Sequence, residues 1–331
     1  MKNRHGHQFG GDWTTRKLAI VSAYLSSYTK ALKNAPFEML YIDAFAGTGY
    51  RMPSRRRVSG LSSELLFPDL SGDEPQSLLA GSARQALLTQ PAFNKYLFIE
   101  RNAGYRAELT KLVSEFPDLA ERIQVVGGDA NAELQKLCQQ PWRRRRAVLF
   151  LDPYGMQVEW STLEAIAATK AIDLWLLFPL GIGVNRLLTR SAEIPEAWRH
   201  RLDLLLGTTE WFDEFYRVES EPNLFGDAEQ RVIKASMATI GRYFVKRLGG
   251  IFSGVLENPA VLCNSTNNPL YLLCFAVGNE KGKPIALRIA RYLLDSVDLV
   301  ETNQGLAKVA EAMYPSEEEY ARLLNQKEPK D

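Results

Sequence analysis

The sequence predicts a doubly wound α/β fold, in which helices cover both faces of a parallel sheet. Five short, continuously apolar runs alternate with segments whose apolar residues recur at helical spacing. Continuous apolar runs are typical of strands covered on both faces. The predicted strands are residues 39–45, 96–100, 123–126, 147–151 and 172–178. The predicted helices in this half are residues 14–33, 81–89, 104–116, 131–138 and 161–169.

After the fifth strand the alternation stops. Residues 185–250 are predicted to form a helical insertion, and residues 251–263 and 270–277 two strands joined by a polar turn, hence a hairpin. Five parallel strands closed by a hairpin fit the seven-stranded methyltransferase sheet better than a dehydrogenase sheet. We therefore expect a Rossmann-like, seven-stranded methyltransferase sheet with a helical insertion between strands 5 and 6.

These patterns divide the chain into four parts. We expect a flexible tail and a Rossmann-like core, followed by the helical insertion and then by the closing hairpin with C-terminal helices. The four parts are residues 1–13, 14–184, 185–250 and 251–331.

Composition limits the classes of function. The 331 residues include 40 basic and 39 acidic side chains, so nucleic-acid binding needs a local basic patch and not a global field. Three cysteines without metal-ligand spacing indicate neither a disulfide framework nor a metal site. No apolar run is long enough to span a bilayer, and we expect a cytoplasmic protein without a membrane partner.

The residues after the first strand form a short glycine loop. Asp43, Phe45, Gly47 and Gly49 lie here, and the two glycines permit a tight turn close to a ligand. The spacing lacks the full dinucleotide-binding pattern, which disfavours NAD. Asp43 is predicted to orient a cationic ammonium group, directly or through water; a plain strand-to-helix turn is the alternative.

Acidic residues also follow the second and third strands. Glu100 is predicted to accept hydrogen bonds from ribose hydroxyls. Asp129 is predicted to accept a hydrogen bond from an adenine amine, and the adjacent Ala130 is assigned to the same cofactor site. The alternative for Glu100 is a charge that stabilises a helix N-terminus. The alternative for Asp129 is the N-cap of the next helix, and Asp129 can still bind adenine if Asn131 caps that helix in its place. Since ligands of open α/β sheets bind where strands end, these residues predict a site for S-adenosylmethionine (SAM).

The fourth strand ends in Asp152, Pro153, Tyr154 and Gly155. A planar amine can donate its two protons to the Asp152 carboxylate and the Pro153 carbonyl while its base stacks on Tyr154. Its lone pair then faces the methyl group of SAM, so alignment and polarisation promote the transfer. The alternative is a turn that merely ends the strand.

A basic segment follows the glycine loop. Arg51, Arg55, Arg56 and Arg57 are candidates for contacts with nucleic-acid phosphates, from a lid or from a surface loop. A second run, residues 143–146, enters the fourth strand from the opposite edge of the sheet and is assigned a solvated or stabilising role.

The ordered combination of these segments resembles the three-Cys-motif partner (TcmP) family over residues 14–295. Its clearest features here are YIDAFAGTG at 41–49, Gly81-Ser82, GDAN at 128–131 and LDPYGMQ at 151–157. The resemblance implies a methyltransferase-like fold and a separate partner protein that carries a three-cysteine motif. The turn at Asp152 is also similar to the D-P-[FY]-G turn of tRNA guanine-N2 methyltransferases.

Three hypotheses remain open. The first is a SAM-dependent N-methyltransferase acting on an exocyclic amine of a nucleic-acid base, with RNA favoured over DNA. The second is a non-catalytic partner of a three-cysteine, radical-SAM-like protein in phage defence or modification, with an interface supplied by insertion aromatics. The third is another Rossmann enzyme, such as a nucleotide hydrolase. The insertion aromatics are Trp198, Trp211, Phe212, Phe215, Tyr216 and Phe225.

Overall fold

The computed structural model describes residues 8–9, 13–47, 81–222, 228–264 and 266–295. The strands are β1 (Gln8–Phe9), β2 (Glu38–Asp43), β3 (Lys95–Ile99), β4 (Ile123–Val126), β5 (Arg145–Leu151), β6 (Ile172–Phe178), β7 (Tyr216–Pro222), β8 (Ala228–Lys234), β9 (Gly254–Val255), β10 (Ala260–Cys263) and β11 (Pro269–Val277). The helices are α1 (Trp13–Leu32), α2 (Ser82–Leu88), α3 (Ala103–Ser114), α4 (Ala130–Cys138), α5 (Trp160–Ala168), α6 (Asn185–Leu187), α7 (Glu196–Leu206), α8 (Trp211–Phe215), α9 (Met237–Gly249) and α10 (Lys283–Asp295).

The predicted doubly wound α/β sheet is confirmed, but in the described residues it has nine strands where seven were predicted. Its strands lie in the order β1-β10-β11-β6-β5-β2-β3-β4, with β9 also beside β11. Strands β4, β3, β2, β5 and β6 are mutually parallel, and β11 is antiparallel to both β6 and β10. The closing hairpin therefore places the last strand between β6 and β10.

Two apolar layers hold the helices to the sheet. Helices α1, α2, α3 and α10 pack on one face, and α4, α5, α7, α8 and α9 on the other. Successive residues of β5 alternate between these layers, since Val148 and Phe150 face the first and Leu149 and Leu151 the second. All four side chains are buried, as expected for a strand covered on both sides.

The structure corrects three expectations about organisation. Gln8–Phe9, assigned to a flexible tail, pair with β10, because edge pairing uses backbone groups and needs no apolar pattern. The insertion between β6 and β9 contains the β7–β8 hairpin as well as helices. Residues 251–263 form two short strands and not one, with Pro259 between them.

The insertion packs on the sheet through a close contact at Gly207, which ends α7. Its φ of +67° is in the left-handed region, and an added Cβ would lie 2.1 Å from the Trp160 ring of α5. The junction between α7 and α5 therefore requires glycine. In the described residues, no helix has the length and apolar character needed to cross a membrane.

We predict that Gly207→Ala lowers the free energy of unfolding by about 2–4 kcal/mol, from backbone strain and overlap with Trp160. Chemical denaturation measures the change. The matched control is Gly249→Ala at the end of α9, where an added Cβ meets no atom of the described residues within 4 Å. Equal stability of the two variants would contradict the assigned contact.

Candidate functional site

Among the five parallel strands, the direction of the connections reverses between β4 and β5. The chain proceeds outward from β2 to β3 and β4, and then returns to place β5 on the other side of β2. Such a reversal opens a crevice beyond the carboxyl ends of the two central strands, where ligands of open α/β sheets bind. Asp43 ends β2 and Asp152 follows β5, so two predicted site residues border this crevice.

Asp43 is fully buried and organises the start of the loop. Its carboxylate accepts hydrogen bonds from the Ser82 hydroxyl at 2.6 Å, the Phe45 amide at 3.3 Å and the Tyr41 hydroxyl at 3.4 Å. Burial raises the pKa of Asp43 to about 7, the nearby Asp152 carboxylate adds to the rise, and the three donors oppose it. Any action of Asp43 on a cofactor ammonium therefore needs an intermediary, and the Ser82 hydroxyl is in place.

The glycine loop is fixed by Glu100 at the end of β3. The Gly47 amide donates to Oε2 of Glu100 at 3.0 Å, and the Asn102 amide donates to Oε1 at 2.7 Å. Each carboxylate oxygen retains capacity to accept a further hydrogen bond. Gly47 has a φ of +59°, and among the described residues no atom lies within 4 Å of where its Cβ would be. The described part of the chain therefore leaves this side of the Gly47 backbone open.

Asp129 is the N-cap of α4, which was the alternative kept open for it. Its Oδ1 accepts hydrogen bonds from the Asn131 and Ala132 amides at 3.0 and 3.2 Å. The expectation that Asn131 could cap this helix in place of Asp129 is therefore wrong. Ala130 is buried as the first residue of α4. The adenine role of Asp129 stays a prediction that uses Oδ2.

The Asn131 side chain instead ties α4 to the segment after β5. Its Nδ2 donates to the Gln157 carbonyl at 2.8 Å, and its Oδ1 accepts from the Glu159 amide at 3.0 Å and the Thr162 hydroxyl at 2.9 Å. These three bonds restrain the turn that contains Asp152.

Asp152 is oriented by Lys17, a residue that the sequence did not indicate. The Lys17 ammonium donates to Oδ2 of Asp152 at 2.5 Å, across 135 residues of chain. The Lys17 side chain is buried, whereas that of Asp152 is 30% exposed. A charge-assisted bond to a buried cation fixes the carboxylate, and the remaining oxygen can accept from a ligand.

Pro153 and Tyr154 differ in exposure. Pro153 is buried, and the side chain of Tyr154 is 68% exposed, among the most exposed large apolar side chains described. Met156, two residues further on, packs against the π-helical turn Leu180–Val184, since an added Cβ on Gly183 would lie 3.0 Å from its side chain. The carbonyl of Pro153 and the ring of Tyr154 are thus held beside Asp152 by a packed turn.

Several predicted residues lie outside the described ones. These are Gly49, Arg51, Arg55, Arg56, Arg57 and Phe225. Among the residues the structure describes, no group of three or more His, Cys, Asp or Glu side chains is arranged to hold a metal ion.

The insertion aromatics that were expected to supply an interface belong mainly to the core. Trp211, Phe215 and Tyr216 are buried, and Trp198 and Phe212 are half-buried against the same apolar layer. Trp211, Phe215 and Tyr216 fill the space between the insertion and the sheet, so these three side chains are not available as a partner surface.

We predict that Asp43 makes folding stability depend on pH. Its pKa is about 7 in the folded protein, above the usual value of 3.8, so between those pH values the folded state binds a proton that the unfolded state lacks. Stability gained from Asp43 is therefore lost as pH rises from 4 to 8. The wild type should lose about 2–4 kcal/mol relative to Asp43→Asn over this range.

Urea denaturation at several pH values measures this difference. Asp118→Asn, which alters an exposed carboxylate in the 3₁₀ helix Pro117–Arg122, serves as the control and should track the wild type. Parallel pH curves for the wild type and Asp43→Asn would contradict a buried acid with a raised pKa.

Comparisons with known proteins give only distant likenesses. No family model and no curated protein matches the chain. Among solved structures, protein LPL1258 from Legionella pneumophila is 15% identical with a TM-score of 0.38, covering 71% of this chain and 93% of its own. A spermidine synthase bound to a transition-state analogue is 10% identical with a TM-score of 0.39, covering 96% of this chain and 77% of its own.

A magnesium protoporphyrin IX methyltransferase from Synechocystis PCC 6803 with bound SAH is 14% identical with a TM-score of 0.26. The match covers 67% of this chain and 83% of that one. These scores are too low to argue for a function, so the site rests on its own topology and contacts.

Proposed function

We propose that the protein is a SAM-dependent N-methyltransferase that acts on an exocyclic amine of a nucleic-acid base, with RNA favoured over DNA. One observation carries the proposal. The crevice at the reversal between β2 and β5 is bordered by Gly47 after β2 and by the Asp152 turn after β5. A cofactor site and an amine site on adjacent central strands are what methyl transfer requires.

The residues on the β2 side fit a bound SAM molecule. Gly47 leaves space for close approach, and Glu100 holds the loop while keeping oxygen lone pairs for ribose hydroxyls. Ser82, bonded to Asp43, presents a hydroxyl near the same loop. Bound here, SAM would supply the electrophilic methyl group.

The residues on the β5 side fit an amine. Oδ2 of Asp152 is bonded to Lys17, so Oδ1 can accept a hydrogen bond from one N–H of the amine. The Pro153 carbonyl can accept a hydrogen bond from the other N–H. These two hydrogen bonds fix the orientation of the planar amine, so that the nitrogen lone pair points across the crevice toward β2. Lys17 and the bonds of Asn131 fix this geometry before substrate arrives, which reduces the ordering cost of the reaction.

The exposed ring of Tyr154 supports a base as the carrier of the amine. Stacking of a base on an aromatic ring contributes about 1–3 kcal/mol and tolerates any base. RNA is favoured because its specific recognition uses unstacked bases in loops and ends. The resemblance of the Asp152 turn to that of tRNA methyltransferases points in the same direction. Arg51, Arg55, Arg56 and Arg57 remain proposed phosphate contacts.

A non-catalytic role beside a three-cysteine-motif protein is the alternative. The burial of Trp211, Phe215 and Tyr216 takes three of the six insertion aromatics out of the surface that was expected to support it. Such a partner remains a proposal that follows from the family resemblance alone.

We predict that the wild type transfers a tritiated methyl group from SAM to cellular RNA, and that Asp152→Asn lowers the rate about 100-fold. The amide keeps the size of the side chain but removes the charge paired with Lys17. Filter binding of labelled RNA measures the rate, with cellular DNA tested in parallel.

Glu121→Gln is the matched control, because Glu121 is an exposed acid before the amino end of β4, at the sheet edge opposite the crevice. Label in DNA alone would overturn the preference for RNA. A wild-type rate in Asp152→Asn would overturn the assigned amine site, and no label in either nucleic acid would overturn the proposed substrate.

A further inference from the structure

The sheet edge opposite the crevice carries a second concave site. A cavity of about 110 Å³, here called the amino-edge cavity, lies between α1, α10 and the first residues of β5 and β6. Aromatic and aliphatic side chains form most of its wall, including Tyr24, Tyr28, Phe37 and Ile289. The predicted chemistry at the carboxyl edge does not use any of these residues.

One buried carboxylate lines the amino-edge cavity. Asp173 of β6 is 7% exposed, and it accepts hydrogen bonds from the Tyr24 hydroxyl at 2.8 Å and, more weakly, from the Gly278 amide at 3.4 Å. Among the described residues, no Lys, Arg or His nitrogen lies within 4.0 Å of this carboxylate. Both donors are neutral, so its negative charge is not matched by an ion pair.

A buried carboxylate without an ion pair is costly, and burial raises the pKa of Asp173 to about 6, while the Tyr24 hydroxyl, the Gly278 amide and the more distant charge of Arg146 oppose the rise. A ligand cation beside it would offset that cost through a charge-assisted hydrogen bond. The rings of Tyr24, Tyr28 and Phe37 can add attraction for a cation over their faces.

Two cations of the protein also line the amino-edge cavity, and they limit what it can hold. The Arg146 guanidinium lies 4.0 Å from the centre of the Phe37 ring and donates to the Arg145 and Trp142 carbonyls. Lys281 is an exposed lining residue. A second positive charge on the ligand would meet these groups, so a ligand with one amine is favoured over a diamine.

We propose that the amino-edge cavity binds a small primary amine with an apolar body, its ammonium group donating to Asp173. Since a cavity of about 150 Å³ accommodates benzene, the amino-edge cavity of about 110 Å³ encloses at most part of one six-membered ring, and the rest of the body lies at its opening. The site is separate from the proposed methyltransferase site and does not depend on it.

The test uses 4-fluorobenzylamine as the probe, observed by fluorine NMR titration of the full chain. Its neutral counterpart, 4-fluorobenzyl alcohol, has nearly the same shape and lacks the charge. We expect saturable binding of the amine, with the alcohol weaker by about tenfold or more. Asp173→Asn should weaken amine binding by a similar factor. Glu280→Gln, which alters an exposed acid just outside the cavity, should leave binding unchanged.

Ala286→Leu provides a second variant, which fills the cavity and keeps the carboxylate. Loss of amine binding in this variant supports the site even if Asp173→Asn does not fold. Unsaturable binding of the amine, equal binding of the alcohol, or full binding by either Asp173→Asn or Ala286→Leu would overturn the proposal.

Discussion

Strands β2 and β5 lie side by side at the centre of the sheet, although the chain places two other strands and at least three helices between them. This pairing extends from Glu38 opposite Arg145 to Asp43 opposite Phe150. It sets the ends of both strands at the same edge and opens the crevice between their outgoing loops. The end of β2 and the Asp152 turn are neighbours only because this pairing holds.

Charge in the crevice is arranged around two carboxylates with different surroundings. Asp152 is partly exposed and paired with the buried Lys17, whereas Asp43 is fully buried and bonded only to neutral donors. Burial of a cation has a large desolvation cost, which an ion pair offsets only in part. The buried position of Lys17 therefore favours a role in orienting Asp152 over a contribution to stability. The bond from Ser82 to Asp43 joins the end of β2 to the start of α2.

The sequence predicted the parts of this fold that depend on local pattern. Continuous apolar runs located all five central strands to within two residues, and Asp-Pro-Tyr after β5 identified the turn beside the crevice. Lys17 escaped prediction because a lysine in an amphipathic helix has no local mark of burial, and its partner is 135 residues away. The β7–β8 hairpin escaped because its strands are mostly polar and charged, with few β-branched residues, and lie next to helical segments. Capping by Asp129 instead of Asn131 was decided by contacts of Asn131 with Gln157, Glu159 and Thr162, which only tertiary structure supplies.

The central claim is that the crevice between β2 and β5 binds SAM. Calorimetric titration of the purified chain with S-adenosylhomocysteine, beside a Glu100→Gln variant that keeps the shape of the side chain, tests it most directly. The account predicts saturable binding by the wild type and an affinity at least about tenfold lower in the variant, because the amide weakens the bonds to Gly47 and to ribose hydroxyls. Absence of binding by the wild type, or equal affinity of the two proteins, would contradict it.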